Sequence, residues 1–297
     1  MRFPLCEGHD SIPSIVKHLD NSTPLLCVVG PTASGKSARA VALAKELQGE
    51  IISVDSRQVY RMLDIGTEKT TEEEMDGIPH HLIDILDPKE TYSAADFVRD
   101  AERLIADIEA RGKRPILAGG THFYFEALIY GLPKTSAPDP VARRALEALS
   151  TEELVSRLAS SDPRRAERID LQNRRRLIRA LEIVAEHGHV PERSTDTPLR
   201  AVEWIVINPE RDVLRERITK RLEAAFARGL VEEVRTVREH VGDTRLNELG
   251  LEYRVVGEFL RGERQEDTLL PTLSTKLWHY ARHQKAWLRK LSATPTG

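Results

Sequence analysis

Little in this chain suits a disulfide scaffold, a metal cage or a membrane span. Its 297 residues include two cysteines, Cys6 and Cys27, too few for the ligand spacing of a structural zinc site. Cys27 lies inside an apolar stretch and reads as a plain buried thiol. No apolar run approaches the ~18 residues that a membrane helix needs. The first 24 residues scatter Asp, Glu and Pro among apolar positions, with neither a basic start nor an apolar block. That is not a secretory signal or a transit peptide, so residues 1–22 read as a loosely attached leader. A monomer working in the cytoplasm, away from membranes, is expected. Charge of one sign is also lacking. The 44 Lys and Arg against 47 Asp and Glu leave a net charge of −3, which argues against an overall basic coat for nucleic acid. No internal repeat or low-complexity tract is visible.

Arginine is nevertheless unevenly spread. Ten arginines fall between Arg143 and Arg179, including "NRRR" at 173–176. Acidic residues are interspersed, so a solvated helical face and a nucleic-acid contact both remain open.

The first 130 residues alternate strand-like and helix-like stretches. "PLLCVV" (24–29), "EIISVD" (50–55), "HHLIDIL" (80–86) and "RPILAGG" (114–120) are apolar strand candidates. "SAADFVRDAERLIADIEARG" (93–112) has a capping Ser93, apolar residues three and four apart, and a stop at Gly112. It predicts a helix. From 141 to 198 the pattern is helical without a strand, and "VEWIVINP" (202–209) then restores one. The alternation predicts an α/β fold, a P-loop-type parallel sheet flanked by helices, with an inserted all-helical lobe. The core would take residues 23–140 and 199–297, and the lobe 141–198.

"GPTASGKS" (30–37) fits G-x-x-x-x-G-K-[ST] at Gly30, Gly35, Lys36 and Ser37. It stands between an apolar strand and an amphipathic helix, where such a loop wraps phosphates. Its glycines let successive N–H groups, those of Thr32, Ala33 and Ser34 included, turn toward one anion at a helix N-terminus. Lys36 would neutralise the outer phosphate and Ser37 would ligate Mg²⁺. The loop alone does not separate a triphosphate from a free-ended pyrophosphate. "RPILAGG" closes with glycines rather than the acidic residue that usually holds Mg²⁺ in P-loop nucleotidases, which weakens a motor or GTPase reading more than a small-molecule kinase. Asp55, ending "EIISVD", falls at a strand end beside the ligand edge with Ser56 and Gln58. Helix cap and catalyst both remain open for it.

Taken in order, "GPTASGKS", "SVDSRQVYRMLDIGTEK" (53–69), "HHLIDI", "YSAADF", "LAGGTHFYFEALIYGL" (117–132), "NRRRLIRALEI", "GLVEEV" and "ARHQKAWLR" resemble the tRNA dimethylallyltransferases over residues 25–290. The resemblance implies transfer of a dimethylallyl group from dimethylallyl diphosphate to the exocyclic amine of the adenine 3′ to the anticodon. Asp55 matches the family's base, and Thr121 and Thr32 lie beside the reacting groups. Arg217 and Arg221 match the pyrophosphate side. The implied tRNA contacts are Asp55, Ser56, Arg57, Gln58 and Thr121 in the core, and Arg143, Gln172, Asn173, Arg174, Arg175 and Arg176 in the lobe. Tyr253 and Arg254 are carried over from a segment that departs from the family's G-Y-[KR], since "LGLEYRVV" puts two residues between Gly250 and Tyr253. His283 stands where the family has a permanent cation. The absence of zinc-finger cysteines after Trp287 matches the bacterial form.

Overall fold

The computed structural model describes residues 23–133, 135, 139–191 and 197–293; the expected leader and Cys6 lie outside them. The chain runs β1 (Leu25–Val29), α1 (Lys36–Glu46), β2 (Gly49–Val54), the short α2 (Glu72–Met75), β3 (His80–His81), α3 (Ala94–Ala110), β4 (Arg114–Gly119) and α4 (His122–Tyr130). Four helices follow, α5 (Pro140–Glu147), α6 (Thr151–Ser161), α7 (Pro163–Arg168) and α8 (Arg174–His187). After β5 (Val202–Val206) the chain is helical again, in α9 (Arg211–Ala227), α10 (Leu230–Leu246), α11 (Leu251–Leu260) and α12 (Leu269–Ala293).

The strands pair in the order β3-β2-β4-β1-β5, all parallel. Every residue of β1 and β2 is buried, as strands covered on both faces must be. Leu26, Val28, Ile51 and Ile116 pack with Ala40, Val41, Leu43 and Ala44 of α1. The alternate residues Cys27, Ile52, Val54 and Leu117 point to the other face. Cys27 is the buried thiol expected, and burial pushes its pKa far up. α3 begins on Ser93, whose hydroxyl accepts from Asp96 N–H while Asp96 reaches back to Ser93 N–H. That reciprocal capping box and the buried Phe97, Ala101, Ile105 and Ile108 account for the helix expected from the sequence. Helices α9 to α12 share a second core in which Leu214, Ile218, Val234, Tyr253, Leu273 and Leu277 are buried together with Val59 and Leu63.

One strand is shorter than expected. The run 80–86 pairs only at His80–His81, because Leu82 and Asp84 take φ of 61° and 56°, left-handed values that break a ladder. Pairing returns at a single bridge between Tyr60 and Leu86.

The chain forms two compact units, one up to Phe125 and from Arg200 onward, the other Glu126–Leu199. The helical unit therefore starts before position 141, since Leu199 N–H donates to Ile129 O at 2.8 Å and ties its two ends. Within it, Leu154 and Leu158 of α6 pack on Leu177, Ile178, Leu181 and Val184 of α8, the apolar stripe legible in the sequence. Asp162 joins its loops, accepting from Arg165 N–H at 3.0 Å and Val190 N–H at 2.8 Å. Among the described residues, no helix is long and apolar enough to cross a membrane.

Candidate active site

Parallel strands deliver their C-terminal ends to one edge of the sheet, where doubly wound folds bind ligands. Here β1 delivers the Gly30–Ser37 loop, β2 delivers Asp55 and β4 delivers Gly120 and Thr121. The loop's turn runs through Ala33 (φ 61°) and Gly35 (φ 91°) into α1, whose first N–H groups have no intrahelical partner. Gly30 is required for a different reason. A Cβ there would meet Ser34 Oγ at 2.5 Å and Ile207 O at 2.6 Å. Ser34 is buried, and among the described residues its Oγ has no hydrogen-bond partner. A buried hydroxyl without a partner is costly and suits an anion seated in the loop.

Basic side chains converge on this loop. Arg217 donates to Ser34 O at 3.0 Å, and Arg221 donates to Thr32 Oγ1. Lys36 is pushed down to a pKa of about 8 by desolvation, with Asp55 pulling it up and Arg221 pushing it down. Asp55 Oδ1 accepts from Arg57 N–H at 2.8 Å and Gln58 N–H at 3.3 Å, while Thr121 Oγ1 accepts from Ser56 N–H at 3.1 Å. The helix-cap reading of Asp55 therefore engages Oδ1, and these bonds do not involve Oδ2.

Two groups of this site fall inside "ARHQKAWLR" and "LGLEYRVV" but receive no role from the sequence. Gln284 of α12 is 2% exposed. It accepts from Thr32 N–H at 2.8 Å and donates to Gly120 O at 3.0 Å, joining the phosphate loop to the end of β4. A signal for it exists, because Leu269, Leu273, Leu277, Ala281, Gln284 and Leu288 are the buried positions described in α12 and a single amide interrupts that stripe. Replacing Gln284 by methionine keeps the length and removes both bonds, leaving a half-buried N–H on Thr32 and a buried C=O on Gly120 without these partners. This is expected to cost about 2 kcal/mol, read as a lower urea midpoint at unchanged m-value, with a raised KM for the loop's ligand. The second such group, Glu252 of α11, pairs with Arg221 at 3.6 Å.

Other expected contacts divide sharply. Arg57 reaches Glu248 O at 2.7 Å. Gln58 holds the following loop through Thr67 O and Glu68 O at 3.3 and 3.0 Å. Tyr253 does not line a surface at all. It is 0% exposed, its hydroxyl donates to Glu233 Oε1 at 2.7 Å, and a Cβ on Gly66 would meet its ring at 2.9 Å. The expected contact of Tyr253 with tRNA is thus corrected: the apolar packing of α10, α11 and α12 claims the ring. Its neighbour Arg254 is exposed, as is His283.

In the helical unit, Arg143 forms a bidentate pair with Glu182 at 2.7 and 3.0 Å. Arg174 donates to Glu147 O and Leu149 O at 2.9 and 2.7 Å, fastening the end of α5. Asn173 caps α8 by accepting from Arg176 N–H at 3.2 Å. Gln172, Arg175 and Arg176 are exposed.

A family model described as IPP transferase matches residues 58–291. The chain is 42% identical over 281 residues to the tRNA dimethylallyltransferase of Thermomicrobium roseum, covering 92% of this chain and 85% of that one. It is 43% identical over 267 residues to tRNA dimethylallyltransferase 1 of Citrifermentans bemidjiense, covering 88% and 87%. Among solved structures, the full-length tRNA isopentenylpyrophosphate transferase of Bacillus halodurans superposes with a TM-score of 0.66 at 38% identity, over 90% of this chain and 86% of that one. A eukaryotic dimethylallyltransferase acting on tRNA superposes with a TM-score of 0.76 at 27% identity, over 90% and 70%. A phosphate loop and a strand-end carboxylate on one sheet edge, in a chain matched over most of its length by that model and these relatives, place the protein in the IPP transferase family.

Proposed function

We propose that this protein transfers a dimethylallyl group from dimethylallyl diphosphate to the exocyclic amine of the adenine 3′ to the anticodon in tRNA, releasing pyrophosphate. The observation that carries the mechanism is the delivery of the Gly30–Ser37 loop by β1 and of the carboxylate Asp55 by β2 to one edge of the sheet. Gly30 to Ser37, Lys36 and Arg221 hold the diphosphate, and Arg217 braces the loop through Ser34 O. As the allylic carbon–oxygen bond breaks, its electron pair leaves with the pyrophosphate, and these fixed cations and N–H dipoles stabilise the growing charge. The adenine amine forms the new carbon–nitrogen bond and loses a proton to Asp55 Oδ2, because Oδ1 is held by the turn. Thr121, accepting from Ser56 N–H, keeps its hydroxyl proton free to donate to a reacting group. The target base leaves its stack to enter the site, as in other base-modifying enzymes.

Mg²⁺ fits this donor set only in company with the diphosphate. No cluster of three His, Cys, Asp or Glu occurs among the described residues, so the exposed Ser37, diphosphate oxygens and water would hold it. When bound it neutralises leaving-group charge.

The tRNA contact of the helical unit falls to the exposed Arg175 and Arg176, whereas Arg174 and Arg143 hold that unit together. Changing both exposed arginines to alanine is expected to weaken tRNA binding and to reduce the slope of log K against log salt by about 0.7–0.9 per lost phosphate contact. An unchanged slope removes the segment as a phosphate clamp.

The direct test incubates the protein with unmodified tRNA, Mg²⁺ and either dimethylallyl diphosphate or ATP, followed by nucleoside mass spectrometry. A dimethylallyl mass gain on the adenosine beside the anticodon is expected. Consumption of ATP without a gain on tRNA would return the loop to a kinase.

A further inference from the structure

The site contains a carboxylate that the chemistry above does not use. Glu252 sits in the first turn of α11 with its side chain 12% exposed, and its Oε1 lies 3.6 Å from Arg221 Nη2. Burial pushes its pKa up, and the charges of Arg221 and Arg57 work against that shift. Arg221, itself 19% exposed, gives its other terminal nitrogen to Thr32 Oγ1 in the phosphate loop. One guanidinium therefore spans from an acid on α11 to the loop that would receive the diphosphate. Glu68 also faces Arg221, but its carboxylate is paired with Arg228 at 2.8 Å.

The electrostatics of the ligand-free site make this arrangement consequential. Lys36 and Arg221 repel one another across the loop, and a partly buried cation without a counter-charge is unfavourable. Asp55 answers Lys36 and Glu252 answers Arg221. An arriving diphosphate brings its own negative charge to the same guanidinium, so Glu252 and the diphosphate compete for it.

Resting on the proposed function, we propose that Glu252 is a positioning residue that holds Arg221 on the phosphate loop as a built-in rival of the diphosphate. It keeps the empty site assembled, weakens ground-state binding and speeds release of the product pyrophosphate. The sign of this role differs from that of a structural prop: loss of the charge tightens binding, whereas loss of a prop loosens it.

The test is calorimetric titration of inorganic pyrophosphate, in the presence of Mg²⁺, into the full chain and its variants. Glu252→Gln keeps size and hydrogen-bonding reach but removes the charge. It is expected to bind pyrophosphate on the order of tenfold more tightly, equivalent to 1.4 kcal/mol, with kcat and the KM for dimethylallyl diphosphate both lowered. Glu252→Asp, which restores the charge, is expected to return toward the wild-type affinity. In an Arg221→Gln background the Glu252→Gln change should alter affinity less than about twofold, since the partner is gone. Unchanged or weaker pyrophosphate binding by Glu252→Gln, with the wild type binding normally, overturns the rivalry alone. Absence of pyrophosphate binding by the wild type overturns the proposed function together with it.

Discussion

Replacing Asp55 by asparagine is expected to lower the single-turnover rate of prenyl transfer by about 10²–10⁴-fold, with little change in the affinity for tRNA or diphosphate. The adenine amine is a weak nucleophile because its lone pair is delocalised into the ring, so accepting its proton is worth that much in a positioned site. Asparagine separates the two duties of this residue. Its carbonyl oxygen can still accept from Arg57 and Gln58 N–H as Asp55 Oδ1 does, which keeps the turn and the neighbouring Ser56–Thr121 bond. It has no basic oxygen to take the proton. Alanine removes both, and is expected to add a loss of stability of about 1 kcal/mol. A near-normal single-turnover rate for Asp55→Asn removes Asp55 as the base and leaves it as a turn cap.

The second large effect is expected at Lys36. Lys36→Met should lower kcat by about 10²–10³-fold, because a fixed cation at a leaving group acts most strongly when the bond breaks. Arginine is also a poor replacement, because its longer planar fork presents charge differently from the compact point charge of a lysine ammonium. Lys36→Arg is therefore expected to stay within about tenfold of Lys36→Met in single-turnover assays. Full rescue by arginine would mean that charge alone, without placement, suffices there.

These two residues and their loop are legible in the sequence, and so is the helical lobe. The reason is local. A strand, a glycine-bearing turn and a helix start are adjacent in the chain, and their geometry follows from backbone rules over a few residues. The same holds for the Ser93–Asp96 capping box and for the buried stripe Leu177, Ile178, Leu181 and Val184. The third strand marks the limit of such reasoning. An apolar run at 80–86 stops pairing after His81, because two left-handed residues there carry no sequence signature.

What the sequence by itself determined was the type of chemistry: a phosphate loop, a carboxylate at a strand end, an arginine-bearing helical unit. What only the tertiary structure decided was which copies of a residue type are available for it. Arg174 and Arg176 look alike in "NRRR", yet one fastens α5 through backbone carbonyls and the other is exposed. Tyr253 and Arg254 are neighbours, yet only Tyr253 is drawn into the helical core. Gln284 meets Thr32 across 252 positions of sequence. Such pairings depend on how distant helices pack, and packing answers to the summed burial of many side chains rather than to any short pattern.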